Sequence, residues 1–314
     1  MLFDEKFEGF DERAYSAFEE RKWSSNMFNM ERLAVREQMK ALGSLIHQGL
    51  SGDYGFFWDV TPHTPSVFNA KSVSELVLFF TRNQDEQRAI VPLLDSRISL
   101  PDQISDAGEH HRHATLGFRI DQQGCEVGLM LHSTAWLDVM NLLNRCRVPF
   151  ERATFVERVR TLPAAVFFRF SSKEEIPASE FNGGHVDRLE EEVLNEEFLI
   201  FLGVRFDADD GEPKSGGFSG TCLEVLGALL PIWEYVAWKP ASDFLEVAEE
   251  SKRLRSAGES GTADLAVGHK VRVSSGVFAG RDGIIQDMDH KGFVRVLVGK
   301  VSVRTDGRSL QIVR

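Results

Sequence analysis

Residues 267–285 read V-G-H-K-V-R-V-S-S-G-V-F-A-G-R-D-G-I-I, and this stretch decides how the C-terminal part of the chain folds. Val271, Arg272 and Val273 alternate apolar and polar, the pattern of a half-buried strand. Gly276 and Gly280 bracket a short loop around Phe278, where positive φ or a close backbone approach is cheap only for glycine. Gly283 opens a second strand through Ile284 and Ile285. Working outward, Gly292–Val298 supplies a third, with Val294, Val296 and Val298 on one face and Phe293, Arg295 and Leu297 on the other. The runs Val301–Arg304 and Leu310–Val313 flank the turn Thr305-Asp306-Gly307. Five short strands in so short a span predict a small all-β barrel, closed or half-closed.

Residues 265–314 resemble a KOW domain, the module that ends NusG-type transcription factors and occurs in some ribosomal proteins. The resemblance rests on Val267, Gly268, Val271, Arg272, Val273, Gly276, Phe278, Ala279, Gly280, Gly283 and Ile284, and on Lys291–Val298. It implies an SH3-like barrel that binds RNA, ribosomal proteins or RNA polymerase partners. Two places depart from the pattern. Val277 stands where the family has a proline before the loop phenylalanine. Val298-Gly299-Lys300 stands near the site of the Phe-Gly-Arg turn of NusG-type domains. Candidate contact residues are Phe278, Arg281, Lys291, Arg295, Arg304 and Arg308. A loop phenylalanine flanked by glycines suits a stacking contact, and equally a lid over a small core.

The charge is divided to match. Residues 265–314 hold nine Lys and Arg against four Asp, a net of +5, while the remainder holds 27 basic against 44 acidic residues, a net of −17. An acidic body repels phosphates, and a basic appendage attracts them. No stretch suits a membrane span: Cys222–Trp238, the most apolar, carries Glu224, Pro231 and Glu234. The opening Met1-Leu2-Phe3-Asp4-Glu5 is acidic and lacks the basic start of a secretory signal. Cys125, Cys146 and Cys222 show no paired spacing, so a reduced, cytoplasmic protein is expected.

Residues 1–245 mix helices with hairpins. Val35, Met39, Leu42 and Ile46 form one stripe of a helix over Met27–Gln48. Phe56–Val60 and Leu76–Phe80 read as strands. Thr115–Ile120 and Cys125–His132 read as a hairpin, followed by a helix that Ser133 or Thr134 would cap, with Trp136, Met140 and Leu143 as its apolar face. Ala164–Phe170 reads as a strand, Val186–Glu197 as an acidic helix, and Phe198–Phe206 as a strand or short helix. Thr221-Cys222-Leu223-Glu224 reads as a capping box. Together these predict an α+β domain, then a linker over 246–264 and the barrel over 265–314. F-E-G-F-D-E-R (Phe7–Arg13), L-G-F-R-I (Leu116–Ile120), E-V-G-L (Glu126–Leu129) and L-G-V-R-F-D-A-D-D (Leu202–Asp210) make the body similar to the YktB-type uncharacterised bacterial proteins. That resemblance implies a shared fold and no activity.

Glu109-His110-His111-Arg112-His113 is the densest group of potential ligands, and His111, His113 and His132 are the candidates for a metal site. Asp207–Glu212 resembles a calcium loop only in composition. Gly183-Gly184-His185 and the glutamates after it read as a helix start and its solvated face. The expected function is a cytoplasmic adaptor without a cofactor, docking through the barrel on RNA, the ribosome or the transcription machinery. The alternatives are an enzyme with its active site in the body and a purely protein–protein module.

Overall fold

A computed structural model of the chain describes residues 7–50, 54–66, 69–95, 109–172, 174–195, 197–245, 265–273, 281–288, 293–298, 301–306 and 310–313. The expected linker over 246–264 lies outside them. The fold is α+β, and the chain divides into two compact units, Met1–Gln87 with Ser105–Leu245 and Arg88–Ile104 with Glu246–Arg314. The first unit is called the body below.

The body is built on one antiparallel sheet. Its strands are β1 (Phe57–Val60), β2 (Glu75–Thr81), β3 (Thr115–Asp121), β4 (Gly124–His132), β5 (Phe167–Arg169), β6 (Glu175–Pro177) and β7 (Leu199–Asp207). They lie in the order β1-β2-β3-β4-β7-β5-β6. Around it run α1 (Glu12–Ser16), α2 (Asn29–Leu50), α4 (Trp136–Cys146), α5 (Pro149–Arg160), α6 (Gly183–Glu192) and α7 (Phe218–Val236), while α3 (Gln84–Asp95) begins in the body and continues into the second unit. Strand residues alternate between the two faces. Leu76, Leu78, Phe80, Leu116, Phe118 and Ile120 face the main core, on which α2 and α7 pack. Val77, Phe79, Met130 and Phe201 form a separate apolar cluster on the opposite face. The α2 stripe Val35, Met39, Leu42 and Ile46 is buried, as its spacing predicts.

Both expected helix caps are corrected. Ala135 precedes α4 without a side-chain cap, and the Thr134 hydroxyl instead donates to the His111 carbonyl at 2.9 Å. The buried face of α4 is Leu137, Val139, Leu142, Leu143 and Cys146, so Trp136 and Met140 lie at its margin. Helix α7 starts at Phe218, three residues ahead of the expected box, and the Thr221 hydroxyl donates to Glu212 Oε1 at 2.6 Å. No helix among the described residues is long and apolar enough to cross a membrane.

The C-terminal strands are β8 (Lys270–Val273), β9 (Asp282–Met288), β10 (Phe293–Val298), β11 (Val301–Asp306) and β12 (Leu310–Ile312). They pair antiparallel in the order β11-β10-β9-β8-β12. Val271, Val273, Ile285, Val294, Val296 and Leu310 form their buried side, so the valine alternation is read correctly. The closed form of the expected barrel is corrected. No pairing joins β11 to β12 among the described residues, because the three-residue β12 pairs with β8 alone. The product is an open five-stranded sheet.

Candidate functional site

The body sheet's second face holds a cleft of about 630 Å³, within the size range of small-molecule sites. A separate void of about 10 Å³ among Leu129, Leu142, Phe155 and Ile232 is a packing gap too small for any ligand.

Register explains the floor of the cleft. Gly117, Gly128 and Gly203 stand side by side on β3, β4 and β7. A Cβ at Gly128 or Gly203 would stand 2.7 Å from the Phe201 ring, and one at Gly117 2.9 Å from Met130 Cε. The glycine row is therefore covered by side chains of the neighbouring row, in which Met130 pairs with Phe201 and Phe201 with Arg169. Arg169 reaches across it to Glu126, Nη1 donating to Oε1 at 2.6 Å and Nη2 to Oε2 at 2.9 Å. Its guanidinium carbon stands 4.9 Å from the Phe201 ring centre, a cation–π contact.

On the other side of the glycines, Arg119, Glu126 and Arg205 are in register across β3, β4 and β7. Glu126 is buried, and Arg119 Nη2 approaches its Oε2 at 2.7 Å. Burial pushes the Glu126 carboxyl up, but Arg169 and Arg119 outweigh that and hold its pKa below the ordinary value. One row further, Glu75 stands directly opposite Asp121. Although 39 % of the Glu75 side-chain surface is open, its carboxyl sits deep enough in the cleft for desolvation to raise its pKa. Arg119 at 3.4 Å opposes that rise, while Asp121 and Glu126 add to it.

The histidines lie at the other end. A 3-10 turn over Glu109–Arg112 carries His110 and His111. Phe79, His110, His111 and His132 form a run of rings with successive centre separations of 4.4, 4.1 and 4.5 Å. His110 is 6 % exposed, and its buried Nε2 has no hydrogen-bond partner among the described residues. Burial, then the neighbouring imidazoles, lower its pKa well below the usual value.

His113 points into a buried polar network. Arg82 Nη1 donates to its Nδ1 at 3.2 Å, and because arginine only donates, this nitrogen carries no proton. Arg82 makes a bidentate pair with Asp138, which also accepts from the Ala114 N–H at 2.6 Å and the Trp238 N–H at 2.8 Å. Burial first, then the Arg82 charge, lower the His113 pKa to about 4. Thus His111 and His132 come together, while His113 is engaged elsewhere. Among the described residues no group of three or more His, Cys, Asp or Glu side chains is arranged to hold a metal ion.

The other polar runs serve structure. Asp210 Oδ2 accepts from the Asp207 N–H at 2.8 Å and Lys214 donates to the Asp209 carbonyl at 3.3 Å, closing an ordinary turn. His185 Nδ1 accepts from the Asn182 N–H at 3.1 Å, completing the capping box of α6.

On the C-terminal sheet, Arg295 and Arg281 are exposed. Arg295 stands in register with Arg304 on β11 and with Asp287 on β9. Arg272 is exposed too, with its Nε 2.8 Å from Asp282 Oδ1. Gly283 is buried, and a Cβ there would stand 2.6 Å from Val296 Cγ1, so it lets β9 and β10 pack closely. Phe278, Lys291, Arg308, Gly276 and Gly280 lie outside the described residues.

Sequence reading passed over Glu75, Arg119, Glu126 and Arg169. The usable signal was in β4, where Glu126, Gly128 and Met130 alternate with the core residues Val127 and Leu129. A lone carboxylate beside a glycine in so apolar a strand needs a partner. No model of a known protein family matches the chain, and no curated protein matches it.

Proposed function

We propose that the protein is a docking adaptor whose C-terminal sheet binds a phosphate-bearing partner, RNA alone or within the ribosome or transcription machinery. The observation that carries this is the register of Arg295 opposite Arg304. Like charges directly opposite on neighbouring strands destabilise a sheet, and Asp287, opposite Arg295 on β9, balances only one of the two. A phosphate backbone seated on them offsets that cost by releasing counterions. Exposed Arg281 and Arg272 extend the basic surface, and the KOW resemblance supports the same partner class. The acidic body, net −15, limits adhesion to other polyanions. A reduced cytoplasmic setting fits the three buried, unpaired cysteines.

The test is the full chain carrying Arg295→Glu and Arg304→Glu, recovered from its own cells with and without nuclease. The adaptor reading expects RNA, ribosomal or polymerase components with the parent protein and none with the variant. Equal recovery with both proteins refutes it. Recovery that survives nuclease and high salt would assign the sheet to a protein partner alone. A second reading, an enzyme in the body, is favoured by the cleft and by the raised pKa of Glu75 within it.

A further inference from the structure

We propose that the body cleft binds an elongated organic amine. Its ammonium lies between Glu75 and Asp121, its apolar body runs over Val77 and Met130, and a terminal hydrogen-bonding group meets His110. This does not depend on the docking role of the C-terminal sheet.

Charge balance points to the sign of the ligand. The cleft's arginines already face carboxylates: Arg119 and Arg169 share Glu126, Arg169 also approaches Glu175 at 3.5 Å, and Arg205 holds Asp207 at 3.2 Å. Among the described residues Glu75 has only the 3.4 Å approach of Arg119. Asp121 commits Oδ1 to the N–H groups of Gln123 and Gly124 at 2.7 and 3.1 Å. Yet Glu75 and Asp121 stand directly opposite each other on β2 and β3. Cβ atoms in such pairs are about 5 Å apart, and like charges there repel. One ammonium, with three donors and a single positive charge, relieves that repulsion. An anion would have to displace Glu126 from its two arginines. A metal ion would find two carboxylates and, among the described residues, no third ligand arranged beside them.

The far end carries an independent sign of a ligand. His110 lines the same cleft, is only 6 % exposed, and has an Nε2 without a hydrogen-bond partner among the described residues. Buried polar nitrogens are normally hydrogen-bonded, and an orphan one marks a place where something else completes the site. Its ring lies flat on Phe79, 4.4 Å away, and Phe79 is four residues along β2 from Glu75. At the rise of a strand those four residues span about 13 Å. Val77 lies between them on the same face, in register with Arg119, and Met130, in register with Thr115 one row beyond Phe79, brings its Cε back over Gly117. The cleft is thus acidic at one end, able to hydrogen-bond at the other, and lined between them by Val77 beside the internally paired Arg119 and Glu126.

The test uses the full chain and 8-amino-1-octanol, which spans nearly that distance, with 1-octanol and octanoate as uncharged and charge-reversed controls. Calorimetric titration at pH 7 is expected to show saturable binding of the amine, with both controls at least about tenfold weaker. Glu75→Gln, nearly isosteric at a half-open position, is expected to weaken the amine by about tenfold or more. His110→Phe preserves the ring stack and is expected to weaken it about fivefold. Urea unfolding of both variants checks that each folds. No saturable amine binding, equal binding of octanoate, or unchanged affinity in Glu75→Gln would each overturn the proposal. So would saturable binding of calcium or magnesium alone that Glu75→Gln abolishes, which would give the acid pair to a metal.

Discussion

Acid should weaken the body through His113, by an amount that follows from its surroundings. The ring is buried, and its Nδ1 accepts from Arg82, so protonating it in place would set a cation against a guanidinium. Its folded pKa is about 4, against 6.5 for an unstrained imidazole. As pH falls the unfolded chain therefore binds the proton first, and stability declines. The decline begins near pH 6.5 and is complete near pH 4. At about 1.36 kcal/mol per pH unit of difference, it reaches roughly 2 kcal/mol by pH 5 and roughly 3 kcal/mol in full. Asp138, whose pKa lies below 3.8, loses its contribution only at lower pH, so the two processes are separable. His113→Asn keeps an acceptor where Nδ1 stands and does not titrate. Urea unfolding followed by tryptophan fluorescence, at steps from pH 7 to pH 4.5, gives the slopes for both proteins. The variant is expected to be somewhat weaker at pH 7, from lost packing, and to lose about 2 kcal/mol less on acidification to pH 5. Parallel pH profiles for the two proteins would refute the reasoning, because the imidazole would then titrate alike in both states.

Other consequences follow from single residues. Asp138→Ala leaves Arg82 buried and uncompensated, and is expected to cost about 3–5 kcal/mol in the same unfolding assay, or to prevent folding. Arg32 is fully buried and donates to the carbonyls of Lys22, Ser25 and His63 and to Asn29 Oδ1, at 2.7–2.9 Å. Lysine cannot reach that spread of acceptors, so Arg32→Lys should cost about 1–3 kcal/mol in denaturant titration. Gly128→Ala places a methyl 2.5 Å from the Leu202 carbonyl oxygen and 2.7 Å from the Phe201 ring, and is expected to cost about 1–3 kcal/mol, with the β4 and β7 backbones moved apart beside it in the variant's crystal structure.

The division between legible and hidden features follows the range of the interactions. The β8–β12 strands and their buried valines could be read because a two-residue alternation is local, and Val294, Val296 and Val298 declare their side without a partner. The α2 stripe was legible for the same reason, with its period of 3.6. The caps failed where a hydroxyl had a better use elsewhere: Thr134 serves the His111 carbonyl and Thr221 serves Glu212. The cleft was hidden because it exists only in register. Nothing near Gly117 in the chain says that Gly128 and Gly203 will stand beside it, or that Arg169 will cross that row to Glu126. The histidines were noticed as a group, yet one residue separates His111, which joins the ring stack, from His113, which turns to Arg82. Sheet closure was likewise not legible, since it turns on whether β12 pairs with β11 as well as with β8.

The most direct test of the docking account is the salt dependence of single-stranded RNA binding by the purified full chain, read by fluorescence anisotropy. If Arg272, Arg281, Arg295 and Arg304 neutralise about four phosphates, the logarithm of the affinity should fall with the logarithm of salt with a slope of about −3. Arg295→Glu with Arg304→Glu should weaken binding at low salt and bring that slope to about half or less. A flat salt profile, or equal binding by the charge-reversed chain, would contradict the account.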